Sequence, residues 1–243
     1  MCALTRPKAV LIDYGGTLVE ELGYDPRPGI EMLLSRAIVR PPRASLDAVL
    51  QRANRVTREV ASRRTQFNIE TPWPALTRLI YDYFGVEFDD PPPKLELDFW
   101  KATVTSRAMP GAAAALDVFR SHRVPMAVVS NSSFGPDVIG YELNRHGLAD
   151  HLTFVMVSAD YAVRKPMRLL IETAAARIGA EPADIWFIGD SLAVDVAGAR
   201  TAGMTAVWLK PGDDGTQGTA DLIAPDWSAV VAAFETAPPR SRT

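Results

Sequence analysis

Three aspartates in this sequence stand where apolar runs end, and together they could bind a hard cation. Asp13 follows the run VLI at 10–12, Asp190 follows "DIWFIG", and Asp195 comes five residues later. Mg²⁺ prefers oxygen ligands and keeps several of its waters, so Asp13 and Asp190 would suit it if the fold brought them together. A metal at that place would reduce the repulsion between Asp13 and an anionic substrate, which would let this carboxylate act as a nucleophile.

Groups that could bind an anion occupy comparable positions. The run "VPMAVV" ends in Ser130 and Asn131, and Lys165 in "VRKPM" precedes a helical segment that Pro166 can start. Lys165 and Ser130 could hold the oxygens of a phosphoryl group. Each position also has an ordinary structural interpretation, because Ser-Asn pairs make turns and lysines are mostly exposed. The chemistry therefore depends on whether the fold brings these side chains together.

The elements that would position them alternate along the chain. Short apolar runs rich in β-branched and aromatic residues are typical of strands buried on both faces. Segments with helical spacing separate them, and this alternation predicts an α/β fold, a Rossmann-like, doubly wound parallel sheet. Ligands of such sheets bind beyond the carboxyl ends of the strands, which is where the polar residues lie. The predicted strands fall within 10–12, 124–133, 152–161, 184–191 and 204–210.

Residues 20–108 have a different pattern. The segments "ASLDAVLQRANRVTREVASRR" and "TPWPALTRLIYDYFG" carry helical spacing of apolar residues without a buried-strand run, and "DDPPPKLELDFW" is interpreted as a link between helices. We predict an α/β core made of 1–19 and 109–243, with an inserted α-helical domain at 20–108. Residues 237–243 are predicted to be a disordered tail.

Composition limits the class of protein. The chain has 243 residues, 47% of them hydrophobic and 23% charged, with a net charge of −3. These figures do not suggest a disordered chain, and the mildly acidic balance argues weakly against a nucleic-acid partner. The single cysteine, Cys2, excludes an intrachain disulfide. Neither a signal peptide nor a membrane-spanning run is present, so we expect a cytoplasmic protein that does not bind membranes. Oligomeric state has no signal in the sequence.

Four motifs identify a resemblance. "LIDYGGTL", "VVSN", "YAVRKP" and "FIGDSLAVD" are similar, in order and spacing, to the four motifs of the haloacid dehalogenase-like hydrolase superfamily. The resemblance covers residues 8–19 and roughly 109–232, and the predicted helical insert stands where that family places a cap.

The resemblance implies a role for each motif residue. Asp13 would be the nucleophile that forms an aspartyl intermediate, and Lys165 would orient it and offset its charge. Mg²⁺ would be the cofactor and a small phosphorylated molecule the substrate. The implied phosphate-binding residues are Thr17, Ser130, Asn131 and Lys165, with Ser130 and Lys165 also counted as catalytic. The implied metal site consists of Asp13, the main-chain carbonyl of Gly15, Asp190 and, in support, Asp195.

One position departs from the family pattern. Phosphatases that this chain resembles usually have a second aspartate two residues after the nucleophile, which protonates the leaving oxygen and then activates water. Here that residue is Gly15. Three explanations remain open. Another group could carry out the acid–base step, or the leaving group could need no proton, as in dehalogenases and phosphonate-cleaving enzymes. Alternatively, the protein could be a weakly active binding or regulatory member of the family. The retained Asp190 and Asp195 favour a Mg²⁺-dependent phosphatase over metal-free dehalogenation.

Overall fold

A six-stranded parallel sheet forms the centre of the protein. The computed structural model describes residues 4–209 and 219–239. The strand order is β5-β4-β1-β6-β7-β8, and a separate antiparallel pair is formed by β2 and β3. The predicted doubly wound α/β fold is confirmed. The strands are β1 (Ala9–Ile12), β2 (Val19–Tyr24), β3 (Val104–Ala108), β4 (Met126–Ser130), β5 (Val155–Val157), β6 (Ile185–Gly189), β7 (Thr205–Leu209) and β8 (Leu222–Ala224).

Ten α-helices surround the two sheets within the described ranges. Four of them precede β3 and six follow it. A π-helical turn, Leu192–Val196, leads directly into the ninth helix. The helices are α1 (Pro26–Arg36), α2 (Leu46–Phe67), α3 (Trp73–Phe84), α4 (Pro92–Thr103), α5 (Ala112–Ser121), α6 (Pro136–Arg145), α7 (Ser158–Tyr161), α8 (Arg168–Ile178), α9 (Ala197–Thr201) and α10 (Trp227–Thr236).

The apolar runs are buried on both faces of the central sheet. In β1, Val10 and Ile12 pack into one hydrophobic cluster with helices α5, α6 and α10, whereas Ala9 and Leu11 pack into a second cluster with α8 and α9. All four side chains are fully buried. Because successive side chains of a strand point to opposite faces, an uninterrupted apolar run is required wherever helices cover both faces.

Helices α1 to α4 lie inside the stretch predicted as an insert and have a hydrophobic cluster of their own. Ile30, Leu33, Trp73 and Phe99 are among its buried members. The strands β2 and β3, which sequence reasoning missed, join this helical unit to the central sheet, and β2 pairs with β3 from Val19 opposite Ala108 to Tyr24 opposite Val104. Four of the six residues of β2 are exposed, so the strand lacks the apolar run that marks the central strands.

The proline-rich segment interpreted as a link is instead the start of a helix. Helix α4 begins at Pro92, with Pro91 at the N-cap. Proline is tolerated in the first turn because the N–H groups there have no partner within the helix, and its fixed φ already suits a helix. The prediction was wrong because a proline run marks a helix start as readily as a loop.

Two predicted segments extend beyond the described residues. The last predicted strand ends at Leu209, and Lys210 lies outside the described ranges. In the predicted tail, Ala237 is buried and the Pro238 carbonyl accepts a hydrogen bond of 3.0 Å from the Arg6 backbone N–H. Residues 240–243 lie outside the described ranges. None of the described helices combines the length and apolarity that a membrane span needs.

Candidate active site

The ends of three neighbouring strands bring the predicted catalytic residues to one edge of the sheet. Asp13 directly follows β1, Ser130 is the last residue of β4, and Asp190 directly follows β6. Because β1 lies between β4 and β6, these side chains meet at the carboxyl edge. A cavity of about 430 Å³ opens there. The predicted site residues that line it are Asp13, Gly15, Ser130, Asn131, Lys165, Asp190 and Asp195.

Lys165 is the buried cation of this site. Its Nζ lies 2.5 Å from Asp13 Oδ1 and 2.8 Å from Asp195 Oδ1, and it donates a hydrogen bond of 2.7 Å to the Val129 carbonyl. Only 1% of its surface is exposed. A buried ammonium group needs such partners, because leaving it unpaired away from water is very costly. Lys165 therefore holds the candidate nucleophile in one orientation.

Two predicted phosphate-binding residues position the catalytic groups in this structure. The Asn131 side chain accepts a hydrogen bond of 2.8 Å from the Lys165 backbone N–H and donates one of 2.9 Å to the Lys165 carbonyl. Asn131 thereby fixes the loop that carries the lysine. Thr17 is fully buried, does not line the cavity, and donates a long hydrogen bond of 3.4 Å from Oγ1 to Asp13 Oδ2. It supports the carboxylate of the candidate nucleophile from a residue that does not line the cavity.

The site carries more negative than positive charge. Burial raises the pKa of Asp13 to about 7; Lys165 opposes this increase, whereas Asp195 and Asp190 add to it. Burial acts to lower the pKa of Lys165, but Asp13 and Asp195 together raise it above its ordinary value. Burial, followed by repulsion from Asp195, also raises the pKa of Asp190. Three carboxylates facing one ammonium group are an arrangement that a further cation would stabilise.

The three aspartates fit a divalent metal ion. One carboxylate oxygen from each of Asp13, Asp190 and Asp195 can be chosen so that all three lie within 4.8 Å of one another. Within the described ranges no lysine or arginine forms an ion pair with Asp190, which leaves its charge for a metal. Oxygen donors with a surplus of negative charge are what Mg²⁺ requires.

Two of the glycines in the motifs are required by the packing of these acids. Gly16 has a φ of +72°, and a Cβ there would overlap Asp190 Oδ2. A Cβ at Gly189 would overlap the Asp195 carboxylate. Gly15 differs, because a Cβ built at this position meets no atom within 4 Å. The absence of an acidic side chain at Gly15 is therefore not imposed by the shape of the turn.

Sequence reasoning missed a buried carboxylate that ties the helical unit to the catalytic loops. Glu70, 3% exposed, lies with Oε1 3.0 Å from Arg64 Nε, pairs with Arg164, and accepts a hydrogen bond of 2.7 Å from Ser158 Oγ. Arg164 immediately precedes Lys165 and lines the catalytic cavity. Nothing in the sequence around Glu70 marks it, because its partners come from distant segments.

Further residues that the sequence did not indicate complete the cavity wall. Glu21 and Tyr24 come from β2, Trp100 from α4, and Phe134 from the loop before α6. These residues place the helical unit and the strand pair directly against the acidic site. A substrate in the cavity would therefore touch both parts of the protein.

Comparisons with known proteins agree with this architecture. The family model "haloacid dehalogenase-like hydrolase" matches residues 7–203. The chain is 34% identical over 103 residues to a phosphoserine phosphatase of Thermus thermophilus, covering 42% of this chain and 41% of that protein. It is 28% identical over 130 residues to a phosphoglycolate phosphatase of Neisseria meningitidis, covering 51% and 53%. The matches thus span about half, or less, of these relatives' length.

Solved structures match over nearly the whole chain and show the fold alone. A HAD phosphatase from Thermococcus onnurineus has a TM-score of 0.58 at 22% identity, covering 94% of this chain and 98% of that one. A 2-haloacid dehalogenase from Pseudomonas syringae has a TM-score of 0.61 at 19% identity, covering 96% and 99%. The sheet topology, the acidic site at its carboxyl edge and the family match lead to one conclusion: this chain belongs to the haloacid dehalogenase-like hydrolase family.

Proposed function

We propose that this protein is a Mg²⁺-dependent phosphatase that acts through Asp13 on a small phosphorylated metabolite. The observation that carries the proposal is the arrangement of Asp13, which is held by Lys165 beside two further acids at the floor of a cavity. The phosphatases among the curated relatives support it, since the phosphoserine and phosphoglycolate enzymes are named for small phosphorylated substrates.

The geometry supports different tasks for the two carboxylate oxygens of Asp13. Oδ1 is engaged by Lys165 at 2.5 Å, whereas Oδ2 has only the 3.4 Å hydrogen bond from Thr17 among the described residues. Oδ2 is therefore the oxygen that attacks phosphorus, and the product of this step is an aspartyl phosphate. Ser130, at the end of β4 and on the cavity wall, would donate its hydroxyl to the phosphoryl oxygens.

The metal would be held by the carboxylates of Asp13 and Asp190 and the main-chain carbonyl of Gly15, with Asp195 in support. When bound, Mg²⁺ supplies positive charge that offsets the repulsion between the aspartates and the phosphoryl group. A metal-free carbon–halogen hydrolase would have to keep three neighbouring carboxylates with one lysine to balance them. The acid cluster therefore favours phosphoryl chemistry over dehalogenation.

The experiment is a substrate panel of phosphate monoesters, including phosphoserine and phosphoglycolate, with 2-haloacids as the competing class. We expect phosphate release that requires Mg²⁺ and disappears in Asp13→Asn, because an amide is a poor nucleophile and a poor metal ligand. The exposed Asp117→Asn is the matched control and should keep wild-type activity. Wild-type turnover by Asp13→Asn, or halide release without metal, would contradict the proposal.

A further inference from the structure

The catalytic cavity contains one carboxyl group that the acid cluster does not use. Among the described residues that line it, the carboxyl groups are those of Asp13, Glu21, Asp190 and Asp195, and no histidine is present. Three of them form the cluster around Lys165. We propose that Glu21, on β2, is the general acid and base that Gly15 cannot be. This inference rests on the proposed phosphatase function.

The strand β2 places Glu21 on the wall of the catalytic cavity. It begins at Val19, directly after the turn that follows Asp13, and the Gly16 N–H donates a hydrogen bond of 2.9 Å to the Val19 carbonyl. Successive side chains of a strand point to opposite faces. The neighbouring Glu20 points away from the cavity wall and pairs at 2.6 Å with Arg107 of β3, whereas Glu21 lines the cavity.

The surroundings of Glu21 suit a proton donor. The residue is exposed at the cavity wall, as a donor to an incoming substrate must be. Partial burial of its carboxyl group, and then repulsion from Glu142, raise its pKa. No ion pair of Glu21 is present within the described ranges. The other titratable groups near it, Tyr14 and Tyr24, have pKa values raised by burial and stay neutral.

Two proton transfers would follow. Asp13 Oδ2 attacks phosphorus, the bond from phosphorus to the leaving oxygen breaks, and the Glu21 carboxyl proton passes to that oxygen, which departs as an alcohol. The Glu21 carboxylate then takes a proton from a water molecule whose oxygen attacks the aspartyl phosphate. Inorganic phosphate leaves, the Asp13 carboxylate is restored, and Glu21 is again protonated. One water molecule is consumed for each ester cleaved.

Glu21→Gln tests this role because it keeps the shape of the side chain but cannot exchange the proton. General acid–base catalysis typically contributes about a hundredfold or more, so kcat/KM for an alkyl phosphate should fall by about that factor. With p-nitrophenyl phosphate, whose leaving group departs as a stable phenolate, kcat/KM should change little. Its kcat should still fall, with a burst of one phenolate per enzyme, because the aspartyl phosphate then lacks a base.

Two further variants complete the design. Glu20→Gln changes the neighbouring residue on the opposite face of the strand and should leave kcat/KM for both substrates unchanged. Adding Gly15→Asp to Glu21→Gln should recover alkyl phosphate hydrolysis, because the structure leaves room for a side chain at Gly15. An active wild type whose Glu21→Gln form keeps full alkyl phosphate turnover would overturn the role of Glu21 alone. A wild type inactive on every ester would overturn the proposed function.

A second cavity, which is a separate observation, indicates the nature of the leaving group. It has a volume of about 280 Å³, lies inside the helical unit, and shares Tyr24, Ser133 and Phe134 with the catalytic cavity. Its walls are mostly apolar. The one charged side chain among the described residues that line it is Arg64, which shares the Glu70 carboxylate with Arg164 and donates a hydrogen bond to Ser133 Oγ.

We infer that the leaving group of the substrate is apolar and occupies this second cavity while its phosphate lies against Asp13. The three shared residues make the two spaces adjoin, and a cavity lined mostly by apolar side chains favours hydrocarbon over a strongly hydrated group such as a second phosphate. This inference also rests on the proposed function, and it separates this chain from the phosphoserine and phosphoglycolate phosphatases that it matches.

A series from methyl to butyl phosphate tests the second inference. Full burial of each added methylene should raise kcat/KM about fourfold. Ala53→Phe, on the cavity wall, should lower the ratio of kcat/KM for butyl to that for methyl phosphate, whereas Ala61→Phe, exposed on the same helix, should leave it unchanged. If the wild-type kcat/KM does not rise with chain length, the inference of an apolar leaving group is wrong. Turnover of methyl phosphate would still establish the phosphatase activity.

Discussion

Replacing Lys165 by methionine removes the single buried cation that balances the acidic site. Its ammonium group lies within 2.8 Å of both Asp13 and Asp195 and also donates to the Val129 carbonyl. Methionine has a similar length and no charge, so the packing is largely kept. Removing one partner of a buried ion pair typically costs about 3–5 kcal/mol, because the other charge is left uncompensated. Here two carboxylates lose their partner.

We therefore expect Lys165→Met to lower the free energy of unfolding by about 3–5 kcal/mol at pH 8 without Mg²⁺, a large share of the 5–15 kcal/mol typical of a domain. The loss should shrink at pH 5, because Asp13, whose pKa is already raised to about 7, is then protonated and no longer needs the lysine. Saturating Mg²⁺ should recover part of it, since the metal replaces the missing positive charge.

Urea titrations followed by tryptophan fluorescence measure these differences. Arg120→Met is the matched control, because Arg120 pairs with Asp117 at 3.0 Å and 58% of each of the two side chains is exposed. Exposed pairs contribute about 0–1 kcal/mol, so the control should be nearly as stable as the wild type. A Lys165→Met loss no larger than that of the control, or one that does not depend on pH, would refute the electrostatic account of the site.

Four further outcomes follow from the same contacts. Millimolar Mg²⁺ should raise the melting temperature of the wild type, and Asp190→Ala should remove most of that shift; a melting temperature indifferent to Mg²⁺ contradicts the metal site. Without Mg²⁺, the free energy of unfolding should fall as the pH rises from about 4 to about 7. Folded Asp13 and Glu96, whose pKa values are both raised to about 7, keep protons that the unfolded chain loses, and urea titrations across this range would show the fall. Gly16→Ala should destabilise by about 1–3 kcal/mol, since its φ is +72°, whereas Gly15→Ala should not; equal melting temperatures would contradict this. Glu70→Ala should lower the free energy of unfolding by about 3–5 kcal/mol, because it leaves two arginines without their partner. Glu59→Ala, which changes an exposed glutamate, is the control and should not change the free energy of unfolding.

The central sheet and the residues at its edge could be predicted from short stretches of sequence. A strand covered by helices on both faces must be apolar throughout, so β1, β4 and β6 can be identified from short apolar runs in the sequence. The polar residues at the end of each run can be identified in the same way. The parallel topology then dictates that Asp13, Ser130 and Asp190 share an edge. The departure at Gly15 was equally visible, because it depends on one residue type at one spacing.

The surroundings of the site were decided by tertiary structure. Glu21 and Glu70 gain their environments from pairing with segments about 85 to 94 residues away, such as Ser106 opposite Glu21 and Arg164 beside Glu70. Asn131 turns its amide toward the Lys165 backbone, 34 residues further along the chain. Local patterns report burial and periodicity, whereas the partner of a lone polar side chain depends on which distant backbone the folded chain places beside it. For that reason the sequence determined the position of the candidate nucleophile, and only the fold decided what surrounds it.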